Sequence, residues 1–396
     1  MILAKRVQNI SPSATLVIAD KARKMKMEGI DVISFATGEP DFPTPEIIKE
    51  EGIKWIRKDF TKYVASNGIP ELKEAICKKF ERENGLVYTP DEILVGNGAK
   101  QLIFQACGAL IDPGDEVIIP TPCWVSYIEQ VKLFGGVPVL VDTSEADNFS
   151  VSAEKIETAV TNKTKMIIIN SPNNPSGAII PVEELKKIAK AAVENEIFVI
   201  SDEVYEKLIY IDKPNTSIGT LGEGIKAFTV TINSLSKSYC MTGWRVGYSG
   251  ASVEVTKAMA AIHGHVTGNV NSMSQKAAAL ALNEFSNFTP MQEAYKNRRD
   301  YIVGRLNNMD GIHCNAPDGA FYVYPSVRGL IGKCFDNKMI KSSFDVAEFL
   351  IDQAHIACVP GEAFSMEGYV RFTFAIAPEL IEKGMDRMEA ALNKLK

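Results

Sequence analysis

The sequence predicts an α/β protein in which a mostly parallel sheet of seven strands lies between helices, with a smaller α+β domain beside it. From about residue 92 to residue 250, short apolar runs alternate with segments of helical periodicity, which is typical of βαβ units. A chain of 396 residues also exceeds the roughly 250–300 residues that one hydrophobic core usually serves. We therefore expect an N-terminal arm with part of the small domain at 1–45, a large domain at 46–285 and a small C-terminal domain at 286–396.

The individual elements follow from hydrophobic spacing and from the turn residues between them. Leu72, Ile76 and Phe80 lie four residues apart, which predicts a helix at 69–83. Further helices are predicted at 99–110, 124–134, 152–160, 182–194, 291–306 and 378–395. Apolar runs predict strands at 92–95, 116–120, 138–141, 165–170, 197–201, 227–231 and 246–249, and in the small domain at 322–324 and 369–376. Because ligands of parallel sheets bind beyond the carboxyl ends of the strands, polar residues that follow these strands should meet at one edge.

The composition is that of an ordinary globular protein, with 46% hydrophobic and 23% charged residues. The net charge of −6 lacks the basic footprint of a nucleic-acid-binding protein, and no run reaches the ~18 apolar residues of a membrane helix. The seven cysteines form no C-x-x-C pair, which fits a reducing compartment and offers no ligand set for a metal. Since the N-terminus also lacks a signal-peptide core, we expect a cytoplasmic protein.

The most informative segment is 234–245, where Lys237 stands between serines. Read alone, this lysine could be a solvated loop residue. Met241 and Trp244 favour a buried loop instead, and a buried lysine adapts its pKa as a Schiff-base lysine requires. Arg245 would then supply a guanidinium for bidentate binding of a phosphate.

This segment and seven other motifs resemble the class I/II aminotransferases, which are pyridoxal-phosphate-dependent (PLP-dependent) transferases of fold type I. The other motifs are Gly38-Glu39-Pro40-Asp41-Phe42, Tyr63, Gly96-Asn97-Gly98-Ala99-Lys100-Gln101, Trp124, Ser171-Pro172-Asn173-Asn174-Pro175-Ser176-Gly177, Asp202-Glu203-Val204-Tyr205-Glu206 and Arg371. They occur in the family's order and span the whole chain. The resemblance implies PLP as the cofactor, with Lys237 as the lysine that holds it.

The resemblance also implies which residues contact the cofactor ring. The family aspartate that matches Asp202 pairs with the pyridine nitrogen and keeps it protonated, so that the ring can accept electrons from the substrate's Cα. Tyr205 and Asn174 match the residues that hydrogen-bond the phenolic oxygen of the ring. Asn173 is the rival of Asn174, which we favour because its spacing to Gly177 matches the family.

For the cofactor phosphate, the resemblance implies a site built from Gly98, Ala99, Lys100, Ser234, Ser236 and Arg245. The first three open a predicted helix, and backbone N–H groups at a helix N-terminus suit a phosphate. Gln101 stands where a dinucleotide-binding fingerprint would have its third glycine, which disfavours a nucleotide-binding enzyme. Tyr63 matches a tyrosine that reaches the phosphate of the neighbouring subunit, so the resemblance implies a homodimer with shared active sites.

The substrate contacts implied by the resemblance are Gly38, Trp124, Asn174 and Arg371. Arg371 alternates with apolar residues in a predicted strand, where an unpaired buried charge would be costly. Its family counterpart clamps the α-carboxylate of the substrate with two hydrogen bonds. Trp124 matches the residue stacked on the cofactor ring, and a plain core aromatic is the alternative.

The identity of the substrate depends on Thr15 and Lys100. They resemble residues that contact the distal carboxylate in the bacterial aspartate aminotransferase subgroup, and a solvated lysine is the alternative for position 100. The implied reaction moves the amino group of aspartate, or a related amino acid, to 2-oxoglutarate by a ping-pong mechanism, with Lys237 as general base.

Other substrates and reactions remain open at this stage. That subgroup includes enzymes acting on aromatic amino acids or prephenate, and a β-lyase can use the same fold. His263 and His265, which have no metal-ligand spacing, stand where relatives have more Ser and Thr, so a broader substrate range is an alternative to strict aspartate specificity.

Overall fold

The computed structural model describes residues 4–8, 10, 14–212 and 215–396, and the side chains of residues 5, 6, 14–17 and 19 lie outside this description. Its helices are α1 (Lys5–Gln8), α2 (Ala14–Met27), α3 (Glu46–Arg57), α4 (Pro70–Lys79), α5 (Ala99–Leu110), α6 (Val125–Leu133), α7 (Ala153–Ala159), α8 (Val182–Glu194), α9 (Ile225–Phe228), α10 (Leu235–Ser238), α11 (Val253–Val266), α12 (Ser272–Glu284), α13 (Thr289–Asn307), α14 (Ser343–Gln353) and α15 (Pro378–Leu392). Its strands are β1 (Ile33–Ser34), β2 (Ile93–Gly96), β3 (Glu116–Thr121), β4 (Val137–Asp142), β5 (Thr164–Asn170), β6 (Phe198–Asp202), β7 (Thr229–Ser234), β8 (Gly247–Gly250), β9 (Tyr322–Val323), β10 (Cys334–Phe335), β11 (Lys338–Met339), β12 (Ile356–Ala357), β13 (Val359–Pro360) and β14 (Val370–Thr373).

Seven of these strands form the central sheet, in the order β2-β8-β7-β6-β5-β3-β4. Strand β8 runs antiparallel to both of its neighbours, and the other neighbouring pairs are parallel. The predicted α/β fold with a mostly parallel seven-stranded sheet is therefore confirmed.

Helices cover both faces of this sheet because its strands are apolar on both sides. In β5, Met166 and Ile168 pack with buried residues of α5, α6 and α11. Their neighbours Ile167 and Ile169 pack with buried residues of α7 and α8 on the other face. Successive side chains of a strand point to opposite faces, so a strand buried on both sides reads as a continuous apolar run.

One predicted strand begins too early. Residues 227 and 228 belong to α9, and β7 starts at Thr229. Gly224, with a φ of 83°, precedes this short helix, and Thr229 Oγ1 donates to Ile225 O at 2.8 Å. A short apolar run has no periodicity that separates helix from strand, which explains the error.

The helix predicted at 69–83 is α-helical only to Lys79. The chain continues as a π-helical turn, Phe80–Asn84, and Gly85 ends it in the left-handed region with a φ of 69°. The apolar spacing that predicted the helix does not reveal this change, since a π turn adds only one residue to a turn.

The C-terminal part of the chain contains a three-stranded antiparallel sheet, in the order β13-β14-β9. Strand β1 pairs in parallel with β12, so residues 33–34 join the C-terminal part rather than the central sheet. The division at residues 45 and 285 stays a prediction. None of the helices in the described ranges has the length and apolarity that crossing a membrane would require.

Candidate active site

Three neighbouring parallel strands end at one cavity of about 390 Å³. Strand β5 ends at Asn170, β6 at Asp202 and β7 at Ser234, and all three residues line the cavity. The residues predicted from the sequence that also line it are Gly38, Ala99, Lys100, Trp124, Asn174, Asp202, Tyr205, Ser234, Ser236, Lys237, Arg245 and Arg371. The fold thus brings together residues from positions 38 to 371 of the chain.

Asp202 is a buried carboxylate at the end of β6, with 3% of its surface exposed. Its Oδ2 accepts a hydrogen bond from the Tyr127 hydroxyl at 2.6 Å, and its Oδ1 accepts one from the Val204 N–H at 3.3 Å. Burial raises the pKa of Asp202 to about 6, although these hydrogen bonds and the charge of Lys237 oppose the rise. At neutral pH the group is therefore mainly an anion that faces the cavity.

Lys237 lies in α10, directly after β7, and its ammonium donates to the carbonyl oxygen of Gly38. Its Nζ is 5.9 Å from the ring centre of Tyr205 and 5.7 Å from that of Phe321. Burial and, after it, the nearby positive charge of Arg371 lower the pKa of Lys237 to about 8. A neutral fraction of roughly a tenth at pH 7 suits an amine that acts as nucleophile and base.

Arg371 is buried in β14, with 4% of its surface exposed. Its Nη1 donates to Asn174 Oδ1 and its Nη2 to Ala36 O, both at 2.8 Å, while its Nε has no hydrogen-bond partner. The guanidinium lies over the rings of Tyr322 and Phe364, at 4.3 and 5.0 Å from their centres. Within the described ranges, no carboxylate lies within 4.0 Å of it. A buried cation without a counter-ion is a site for an anionic ligand group.

Asn174 and Tyr205 are held beside these charged groups by their own partners. The Asn174 N–H donates to Asn170 Oδ1 at 2.8 Å, and Asn170 Nδ2 donates to Asp202 O at 2.9 Å. The hydroxyls of Tyr205 and Tyr322 lie 3.0 Å apart. Since the Asn174 side-chain oxygen is used by the arginine of β14, its amide nitrogen remains as the donor for a ligand.

The other end of the cavity carries hydroxyl groups and a helix N-terminus. Ser234 Oγ lies 2.8 Å from Ser236 Oγ. Arg245 Nη2 donates to Asn97 O at 3.0 Å, and its Nη1 donates to Thr242 O at 2.9 Å. Gly98 is the N-terminal cap of α5, whose first residues lie at the cavity. Hydroxyls, free N–H groups and a guanidinium together form an environment suited to a phosphate.

Lys100 stands at the cavity in the first turn of α5. Its Nζ lies 4.8 Å from the ring centre of Trp124, and in the described part of the chain it has no carboxylate within 4.0 Å. Lys100 is exposed at the cavity, and its partial desolvation, together with the charge of Arg245, lowers its pKa. The ammonium is therefore available to a second anionic group of a ligand.

Some residues considered from the sequence do not line this cavity or cannot be placed, and Gly98 and Asn173 are among those that do not line it. Tyr63 is 98% exposed and lies outside the cavity of its own chain. The backbone of Thr15 lies in α2, but its side chain is outside the described part. His263 is buried in α11, where its Nδ1 lies 2.7 Å from Gln105 Nε2, and His265 is exposed.

Sequence reasoning missed Tyr127, Asn170, Tyr322 and Phe364, which all line the cavity. Tyr127 lies three residues after Trp124, so helical spacing could have placed both on one face. Tyr322 is the first residue of the strand predicted at 322–324, but nothing in the sequence pairs it with an arginine 49 residues later. Tyr127, Asn170 and Tyr322 each contact a site residue that is distant in the chain, and local sequence patterns do not reveal such contacts.

Comparison with known proteins identifies the family. The sequence profile described as aminotransferase class I and II matches residues 30–388. A probable aspartate/prephenate aminotransferase from Aquifex aeolicus is 42% identical, over 99% of each chain. The crystal structure of an aspartate aminotransferase from Rhizobium meliloti has a TM-score of 0.97 and 40% identity, covering 100% of each chain. A structure of the Thermus thermophilus aspartate aminotransferase with maleate has a TM-score of 0.93 and 38% identity, covering 99% of this chain and 100% of the other. This chain therefore belongs to the aminotransferase class I and II family.

Proposed function

We propose that this protein is a PLP-dependent aminotransferase that moves the amino group of aspartate, or of a closely related dicarboxylic amino acid, to 2-oxoglutarate. The observation that carries the proposal is Arg371, a buried guanidinium without a counter-ion, in one cavity with Lys237 and Asp202. A cation for a carboxylate, an amine of lowered pKa and a buried carboxylate are the groups that amino-group transfer requires.

The side chains of the cavity fit PLP at both ends. Asp202 would hold a proton on the pyridine nitrogen, because its carboxylate is buried and faces the cavity. Ser234, Ser236 and Arg245, with the N-terminus of α5, would bind the phosphate. When bound, PLP supplies an electron sink for the charge left at the substrate's Cα.

Lys237 is placed to carry the cofactor and then to move a proton at the substrate's Cα. Its pKa of about 8 leaves a neutral amine in part of the molecules at neutral pH. Asn174 and Tyr205 would hold the phenolic side of the cofactor ring through their amide nitrogen and hydroxyl. Burial raises the pKa of Tyr205 well above its ordinary value, so this hydroxyl stays a neutral donor.

Two cations favour a dicarboxylic substrate. Arg371 would clamp the α-carboxylate, and Lys100, which lines the same cavity beside Trp124, would pair with the distal carboxylate. The Thermus thermophilus relative was crystallised with maleate, which carries two carboxylates, and this supports the same choice here.

The same proposal includes a homodimer. Tyr63 is 98% exposed on the monomer, which is unusual for so large an aromatic side chain. In a dimer with shared active sites, this hydroxyl would reach the cofactor phosphate of the partner subunit.

Replacing the proposed lysine tests the reaction. Lys237→Ala should lose transamination between aspartate and 2-oxoglutarate, and should lose the visible absorption of a lysine-linked cofactor. It should still bind PLP non-covalently, because the ring and phosphate contacts remain. Lys190→Ala, a change at an exposed lysine of α8, is the matched control and should leave both properties intact. Turnover of Lys237→Ala near the wild-type value would reject the assignment.

A second candidate substrate is prephenate, which one relative's description names beside aspartate. Prephenate also carries two carboxylates, so Arg371 and Lys100 could hold it in the same way. Assays of the amino-group acceptors 2-oxoglutarate and prephenate side by side, with aspartate as donor, separate the two. Turnover with 2-oxoglutarate alone would eliminate the second candidate.

A further inference from the structure

A group of buried polar side chains lies against the turn that follows β6. The side chains of Lys79 and Glu206 are 0% and 7% exposed, and they form an ion pair. Lys79 Nζ also donates to Asn84 Oδ1 at 2.8 Å. Asn84 Nδ2 lies within donating distance of Glu206 Oε2, at 2.8 Å, and of Glu203 Oε2, at 3.2 Å. We name these four residues the buried ion cluster.

The side chains of the turn after β6 contact either the cavity or the buried ion cluster. Asp202 and Tyr205 line the cavity, whereas Glu203 and Glu206 make their contacts in the buried ion cluster. The Glu206 N–H donates to Glu203 O at 3.0 Å, so the two glutamates belong to one hydrogen-bonded turn. Any shift of these glutamates would therefore displace the carboxylate and hydroxyl that face the cavity.

Lys79 and Asn84 can meet because the helix widens between them. On an α-helix, residues three or four apart are neighbours, whereas residues five apart lie on different faces. The π-helical turn Phe80–Asn84 changes that geometry, and Gly85 ends it with a φ of 69°. Single π turns inside helices frequently accompany functional sites.

The cluster is costly to build, which argues for a purpose beyond stability. Desolvating a buried ion pair often offsets its attraction, so such a pair is weak evidence for stabilisation, whereas removing one partner is strongly destabilising. Glu203 Oε1 is satisfied by the hydroxyls of Ser201 and Ser217 at 2.8 and 2.7 Å. Burial, followed by the charge of Glu206, raises the pKa of Glu203 to about 7. Near neutral pH Glu203 is therefore only partly ionised, and Lys79 faces the carboxylate of Glu206 together with that of Glu83, which lies 3.9 Å away.

We propose that Lys79 is a positioning residue for the reaction, because through Glu206 and Asn84 it fixes the turn that aims Asp202 and Tyr205 at the cofactor. The inference rests on the proposed function, since it assumes that these two residues contact the cofactor ring. Misplacement of such groups by about 1 Å can cost on the order of a hundredfold in rate.

Lys79→Met and its matched control Lys207→Met test the inference in the PLP-loaded enzyme. Lys207 forms an ion pair with Glu83 at 2.8 Å beside the cluster, but it contacts neither glutamate of the turn through its side chain. Lys79→Met should lower kcat by about tenfold or more with KM for the amino acid changed by no more than about twofold. It should also shift the midpoint of the pH titration of the visible absorption, because the Asp202 carboxylate moves relative to the ring. The control should change neither quantity.

The cofactor-free protein provides a readout that does not depend on activity. Hydrogen exchange of the amides of residues 203–206 should be faster in Lys79→Met than in the wild type by about tenfold, and unchanged in the control. If Lys79→Met does not fold, the double variant Lys79→Met with Glu206→Gln replaces it, because it removes both partners of the buried ion pair. In that variant the inference expects kcat to stay low and the absorption midpoint to stay shifted.

The outcomes separate this inference from the proposed function. A wild-type protein without transamination and without a lysine-linked absorption would reject the proposed function itself. An active wild type whose Lys79→Met variant matches the Lys207→Met control in kcat, pH midpoint and exchange would overturn only the role of Lys79. Recovery of the wild-type kcat and midpoint in the double variant would overturn it equally, since it would show that only the unpaired charge mattered.

Discussion

At the scale of single residues, the proposed chemistry depends on Lys237 and Arg371, two of the cationic side chains that line the cavity. Arg371 presents a planar guanidinium, whose N–H groups match the two oxygens of a carboxylate. Lys237 can release its proton, and burial together with this neighbour lowers its pKa to about 8. The arginine thus remains a clamp for an anion, while the lysine becomes an amine that can exchange protons.

The lowered pKa of Lys237 predicts a pH-dependent stability of the cofactor-free protein. The pKa of Lys237 is about 8 in the folded protein and 10.5 ordinarily. The stability that the neutral amine contributes is fully present above pH 10.5, and it is lost as the pH falls from 10.5 to about 8. Lys237→Met removes that loss. The free energy of unfolding of the variant, relative to the wild type, should therefore rise by roughly 2–3 kcal/mol between pH 10 and pH 7. Urea unfolding at the two pH values measures the difference.

The control for this measurement is Lys190→Met, at a lysine whose side chain is 75% exposed. Its unfolding free energy should follow the wild type at both pH values. A difference for Lys237→Met that is equal at pH 7 and pH 10 would contradict the lowered pKa.

The position of Lys100 predicts that its replacement changes KM for aspartate more than KM for phenylalanine. Its ammonium lies over Trp124 and has no carboxylate within 4.0 Å in the described ranges, so a distal carboxylate of the substrate would be its partner. A hydrogen bond to a charged group contributes about 1.5–3 kcal/mol, and Lys100→Ala should therefore raise KM for aspartate by about tenfold or more. KM for phenylalanine should change by no more than about threefold. Steady-state kinetics with both amino acids decides, and an equal rise for both would reject the distal-carboxylate role.

At the scale of elements, the cavity depends on the close approach of β8 and the start of α5. A Cβ atom at Gly247 would lie 2.6 Å from the carbonyl carbon of Gly98 and 2.7 Å from the nitrogen of Ala99. These are backbone atoms, so a side chain at position 247 would displace the helix N-terminus that faces the proposed phosphate. Position 247 requires glycine because the two backbones lie so close together, and not because its φ is in the left-handed region.

Gly247→Ala should accordingly weaken PLP binding. Moving the N–H groups of α5 by a few tenths of an ångström or more should raise the dissociation constant by about tenfold. Titration of the cofactor-free protein, followed by fluorescence, measures the change. Gly304→Ala in α13 is the control, because no atom lies within 4 Å of its Cβ position, and it should leave PLP affinity unchanged. An unchanged affinity in Gly247→Ala would show that the contact does not support the phosphate site.

At the scale of the whole molecule, the proposed homodimer would complete each active site with a residue of the partner subunit. Tyr63 is 98% exposed, and it resembles a residue that acts on the partner's cofactor. Other large hydrophobic side chains are also exposed, including Ile56 at 54% and Val266 at 57%.

The dimer proposal predicts a mass of about twice 43.4 kDa by light scattering at micromolar concentration. Tyr63→Phe removes only the hydroxyl, and it should weaken PLP binding by about fivefold or more without changing the mass, because one hydrogen bond to phosphate is lost. Tyr301→Phe, at a tyrosine that is 37% exposed in α13, is the control. A monomeric mass, or full PLP affinity in Tyr63→Phe, would count against shared active sites.

The sequence by itself determined the alternation of strands and helices, because apolar spacing and turn residues are local properties. It also determined which residues face the cavity at strand ends, since the carboxyl ends of parallel strands meet at one edge. The selection of Asp202, Asn174, Ser234 and Lys237 among the polar residues of this edge rests on the resemblance to the class I/II aminotransferases, and helices 99–110 and 182–194 have the predicted bounds.

Only the tertiary structure decided which side chains support these residues. Tyr127 bonds to Asp202 across 75 positions, and Lys79 pairs with Glu206 across 127, and no local spacing ranks such partners. In the sequence, Lys79 is one of many charges between apolar helical positions, which predicts a solvated face. The π turn and the packing around it bury that lysine instead, and burial depends on contacts that the chain makes only once it is folded.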